Sequence, residues 1–191
     1  VRVAVKEDTN NIKNPIPDSI KTSGLVADID SVTQIPASSD QMPLTRITKL
    51  GYQPDNGALY VLDLRGKLYK LQNGKPEVYM DMAKLESKFI NQPGLATGFG
   101  SFTFHPEFSK NGLIYTTHTE PAASAKADFS YPDSIPVVMQ WVLTEWKTNP
   151  GTFPFSGKGK ELFRINMPTG IHGMQEVTFN RQAKPCDADY G

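Results

Sequence analysis

His172 stands between two glycines in Gly170-Ile171-His172-Gly173, an imidazole with little steric crowding around it. Imidazole titrates near neutrality, so a histidine presented in this way is a candidate functional residue. His118 is followed by Thr119-Glu120 at the end of a β-rich run. It has two readings: a proton acceptor or ligand-binding group, or a satisfied polar residue at a strand end. Asp63 and Arg65 flank a tight turn, where they either meet a ligand or pair with each other and cap the turn. Arg46 precedes an alternating segment, as a ligand contact or as a surface arginine. His105 comes directly before Pro106 and reads as a turn residue. The three histidines are too widely spaced to claim a zinc site, so no metal ligand is assigned in this chain. A Glu-x-x-His pair, a Cys-x-x-Cys site, a Gly-x-Ser-x-Gly elbow and a phosphate-cradling Gly-Lys-Ser/Thr loop are all absent.

These residues need elements to hold them. In residues 98–118, Phe102 and Phe104 alternate with Ser101 and Thr103, Pro106 and Asn111-Gly112 break the chain, and Leu113–Thr117 is rich in β-forming residues. That is strand, turn, strand. The pattern recurs in Thr48–Asp63 and begins again at Gln175–Asn180. A repeat of about fifty residues with several strands per unit is the signature of propeller blades, so the predicted fold is all-β, a β-propeller of four-stranded antiparallel blades. An N-terminal arm, 1–43, contains a short strand candidate at Gly24–Ile29. The first blade covers 44–82, with strands at Leu59–Asp63, Lys67–Leu71 and Pro76–Met82 and a short helix candidate at Met82–Phe89. The second covers 99–167, with later strands at Val137–Trp146 and Glu161–Asn166, and the third starts in 170–191. Pro121–Pro136 is a long loop, either a lid or decoration. In such a blade the start of the first strand and the end of the second share one end. Arg46, Asp63, Arg65, Gly98–Gly100, His118, Glu120 and Gly170–Met174 therefore gather at the mouth of a central channel, while His105 falls at the opposite end.

Composition narrows the classes. Lys+Arg 20 balances Asp+Glu 20, which leaves no basic field to attract nucleic acid or anionic lipid. No apolar run is long enough to span a membrane. Cys186 is the single cysteine, which excludes an internal disulfide and leaves a partner outside this stretch as the only route to one. The chain ends where the third unit would turn into its second strand, so the rest of the propeller is expected after Gly191.

Leu62-Asp63-Leu64-Arg65-Gly66-Lys67-Leu68-Tyr69, Phe102-Thr103-Phe104-His105-Pro106-Glu107-Phe108 with Lys110-Asn111-Gly112, and Ile171-His172-Gly173-Met174-Gln175 together resemble the glucose/sorbosone dehydrogenase family. The resemblance covers about residues 44–191. It implies a six-bladed propeller, of which the chain holds about two and a third blades, and a secreted protein, periplasmic or extracellular. It also implies oxidation of a sugar or alcohol by pyrroloquinoline quinone, held over the channel mouth with calcium. His172 matches the histidine that removes the hydroxyl proton. Arg46, Asp63, Arg65, Gln92 and His118 are the candidates for cofactor contact, and the calcium ligands are expected after Gly191. The alternative is a non-catalytic propeller that binds carbohydrate or protein on the same face.

Overall fold

Alternating aromatic and polar residues, broken at short intervals by glycine, proline and asparagine, form eight antiparallel strands among the described residues. The computed structural model describes residues 24, 26, 28–132, 134–180, 182–184 and 186–188. The chain divides into two units, Val1–Ser31 and Val32–Gly191. In the first, the described residues form no strand; Leu25 and Ala27 of the expected Gly24–Ile29 strand lie outside them.

The second unit holds two four-stranded sheets. β1 (Ile47–Tyr52), β2 (Leu59–Asp63), β3 (Lys67–Gln72) and β4 (Lys75–Asp81) form one, in sequence order. β5 (Phe99–Phe104), β6 (Leu113–Pro121), β7 (Met139–Thr148) and β8 (Gly157–Met167) form the other, also in sequence order. Every neighbouring pair is antiparallel. Two all-antiparallel meanders of four strands are the blade architecture expected from the repeat. Short turns set the register: Gln72 pairs with Lys75 across the two-residue Asn73-Gly74 loop, the commonest hairpin chemistry.

Several boundaries differ from expectation. The outer strand of the first sheet runs Lys75–Asp81, and Met82 instead opens a single-turn helix, α1 (Met82–Leu85). That helix stops at Glu86, whose backbone is extended, so the expected helix to Phe89 is cut short. A second single turn, α2 (Phe108–Asn111), follows β5. The third and fourth strands of the second sheet are displaced or longer than expected, at Met139–Thr148 and Gly157–Met167. Gln175–Asn180 forms no strand; it runs irregularly against both sheets.

The core sits between the sheets. Tyr60, Leu62, Leu68 and Met80 from the first meet Phe102, Phe104, Ile114 and Trp146 from the second, all buried. Tyr60 and Phe104 rings lie 4.8 Å apart, and Phe104 and Phe108 rings 4.9 Å apart at a steep angle. Each such aromatic removes a large apolar area from water, worth about 1.5–3 kcal/mol per fully buried side chain. The long loop after β6 covers the outer edge of the second sheet. Arg164 N–H donates to Asp128 Oδ2, Asp128 N–H donates to the Arg164 carbonyl, and Asn166 N–H donates to the Phe129 carbonyl. An edge strand's unpaired backbone groups are thereby partly satisfied.

Candidate functional site

Ile47 pairs with Asp63 and Phe99 pairs with His118, so the first strand's start and the second strand's end share one end of each sheet. Two polar clusters form there, joined by the loop 86–98.

The first cluster is built on Asp63. Its carboxylate is fully buried, and Oδ1 accepts the backbone N–H of Arg46 at 3.3 Å and of Arg65 at 3.0 Å. Asp63 therefore caps the Leu64-Arg65-Gly66 turn, while Oδ2 is buried without a hydrogen-bond partner among the described residues. Arg65 does not close back on that carboxylate. Its guanidinium donates to Ser38 Oγ at 3.0 Å and to the Pro43 carbonyl at 2.8 Å. Arg46 donates to the carbonyls of Asn91, Gly94 and Leu95 at 3.2, 3.1 and 2.6 Å, tying the loop 86–98 to the first sheet. Burial, then the neighbouring Arg65 charge, lowers the Arg46 pKa. Gly98 locks the two sheets at this point. It holds φ +143°, and a Cβ there would lie 1.9 Å from the Leu64 carbonyl oxygen.

The second cluster follows from strand periodicity. His118 and Glu120, two residues apart on β6, share one face. The ladder sets Gln140 beside Glu120, Val142 beside His118 and Arg164 beside Val142. His118 is 1% exposed; its Nε2 lies 3.4 Å from Glu120 Oε1, and its Nδ1 has no hydrogen-bond partner among the described residues. Arg164 donates to Glu120 Oε2 at 2.7 Å and Gln140 Oε1 at 3.0 Å, and through both nitrogen arms to Glu161 at 2.9 and 2.8 Å. Burial works against the Glu120 charge, but the hydrogen bonds from His118 and Arg164 outweigh it and hold the carboxyl down at about 2. Glu86 is half-buried beside this cluster. Burial lifts its carboxyl above the ordinary range, partly offset by attraction to His118. Its place is set by the backbone: Ile90 N–H donates to the Thr119 carbonyl, and Thr119 Oγ1 donates to the Ile90 carbonyl.

The segment after β8 completes this end. The Gly170 carbonyl accepts from Ala96 N–H at 3.0 Å, beside the carbonyls that Arg46 holds. His172, two residues on, is exposed. Gly173 lies directly on the fully buried Trp141 indole; a Cβ there would stand 1.7 Å from Nε1. Thr117 Oγ1 donates to the Met174 carbonyl at 2.6 Å, Val177 N–H donates to Ser101 Oγ at 3.1 Å, and Lys49 reaches both Glu176 and the Val177 carbonyl. The segment thus crosses from β5 to β1.

Of the residues singled out from the sequence, Arg46, Asp63, Arg65, His118 and His172 gather at this end, and Gln92 is exposed in the loop that joins the clusters. His105 lies at the other end of β5, where its Nδ1 accepts Glu107 N–H and its ring packs on Phe179. Glu86, Asn91, Gln140, Trp141 and Arg164 were not among the sequence candidates. Only the register of three strands and the path of the loop 86–98 bring them in.

Pyrroloquinoline quinone carries carboxylates, which call for cationic donors free to face outward. Arg46 and Arg65 direct donors to carbonyls and a serine hydroxyl of the chain itself, and Asp63 and His118 are buried. These four residues are engaged with the chain itself.

No family model matches the chain, and no curated protein matches it. Among solved structures, the chain is similar to one from Thermus thermophilus described by inference as an oxidoreductase (glucose dehydrogenase). Identity is 15%, the TM-score is 0.39, and the match covers 59% of this chain and 26% of that one.

Proposed function

We propose that the end of the sheets carrying Arg46, the loop 86–98 and Gly170–Gly173 is the working face of a dehydrogenase that oxidises a sugar or alcohol. His172 takes the hydroxyl proton. The observation that carries this reading is the exposed imidazole two residues beyond Gly170, whose carbonyl is hydrogen-bonded to the Arg46-braced loop. A braced backbone on one side and the Gly173 contact with Trp141 on the other limit how far the histidine can wander, as a general base requires. Arg46, Asp63 and Arg65 act as the frame. The hydride acceptor named by the sequence resemblance is pyrroloquinoline quinone with calcium; on this reading both are held by groups other than those four residues, and Gln92 is exposed in the braced loop.

The test is sugar-dependent dye reduction by the full protein supplied with the quinone and calcium. Turnover with an aldose or a simple alcohol is expected, and His172→Ala lowers it by about a hundredfold or more, the usual contribution of a general base. Full activity in His172→Ala removes the base assignment. The second reading, a non-catalytic propeller that binds carbohydrate or protein on this face, is favoured by the inward commitment of the Arg46 and Arg65 donors. Sugar binding without quinone uptake or turnover would decide for it.

A further inference from the structure

We propose that Glu86, His118 and Glu120 form a binding site for a divalent transition-metal cation of the zinc class. One donor atom from each residue lies within 4.8 Å of the others. Donors at about 2.1 Å in a tetrahedral site stand about 3.4 Å apart. His118 Nε2 and Glu120 Oε1 are separated by 3.4 Å, equal to that edge.

The surroundings point the same way. The His118 imidazole is 1% exposed, so Nε2 meets the Glu120 carboxylate away from solvent. The local charge is unbalanced: Glu86, Glu120 and Glu161 face a single guanidinium, Arg164, among the described residues. A divalent cation would neutralise the remaining two negative charges. Arg164 and Gln140 orient Glu120 from behind through its other oxygen and the Arg164–Gln140 bond, the role that groups around a metal's ligands commonly fill. Half-buried Glu86 supplies the entry path, leaving one position of the tetrahedron to water.

The chelator-stripped full chain, titrated with zinc(II) alone by calorimetry and with cobalt(II) by visible absorption, tests this. One ion per chain is expected, with cobalt(II) bands of a tetrahedral nitrogen and oxygen site. Glu86→Gln and His118→Asn each weaken zinc binding at least about tenfold, while His105→Asn and His172→Asn leave it unchanged. If His118→Asn does not fold, half-buried Glu86→Gln, checked by circular dichroism, decides. Absence of stoichiometric binding to the native chain, or affinity that survives Glu86→Gln unchanged, overturns the site.

Discussion

Asp63 accepts the N–H groups of Arg46 and Arg65 from a position closed to solvent, so its removal strands two backbone donors and loosens the anchor of the loop 86–98. Asp63→Ala is expected to cost about 1–3 kcal/mol, the usual penalty for leaving buried donors unpaired, read as a lower urea midpoint in equilibrium unfolding. Urea curves that overlay those of the parent would show that water replaces the carboxylate without cost. Sequence spacing brings out Asp63-Leu64-Arg65 as a turn but leaves open whether the two charges pair. The structure answers through backbone geometry: capping uses the carboxylate, and the guanidinium finds Ser38 and Pro43. His118 and Glu120 are legible as residues of one end. That they share a face follows from β6 running on to Pro121, past the expected end at Thr117, so that i and i+2 alternate together. Glu86 is not legible, because its approach depends on the Thr119–Ile90 bonds, which no local pattern announces.

At the scale of elements, Phe104 on β5 joins the two sheets, touching Tyr60 across the interface and Phe108 on α2. Phe104→Ala is expected to destabilise the chain by about 3–5 kcal/mol, transfer and cavity terms together. Phe129, exposed on the edge loop, serves as the control: Phe129→Ala should cost far less in the same thermal or urea unfolding series, and equal losses would contradict the assignment of the core. Aromatic alternation makes β5 readable in advance. The apolar pattern shortens β8 because its first half, Gly157 to Glu161, alternates lysine and glycine on a solvent-facing strand, where apolar periodicity has nothing to mark. β7 runs on to Thr148 because Thr148 N–H meets the Gly112 carbonyl and its hydroxyl meets Ser156, bonds formed only once the sheet exists. Gln175–Asn180 has the alternation of a strand, yet its polar groups are taken by Ser101 and Lys49 side chains.

Across the whole molecule, buried phenols set an alkaline limit. An unfolded chain releases tyrosine protons near pH 10, whereas burial pushes Tyr60 up to about 12, and Tyr79 is raised in the same direction by burial. The folded state holds these protons longer, so their contribution is fully present below about pH 10 and is lost as pH climbs toward the folded value. Melting temperature should therefore fall between about pH 10 and 12, and Tyr60→Phe should shallow that decline. An unchanged slope would mean that Tyr60 does not titrate with unfolding.

The proposal that this end of the sheets meets a sugar is tested most directly by amide chemical shifts of the full protein titrated with glucose. The account predicts saturable shifts confined to Asn91–Ala96 and Gly170–Gly173. Shifts confined to the opposite end, at the cavity of about 300 Å³ lined by Tyr52, His105 and Phe179, or none with any aldose, would contradict it.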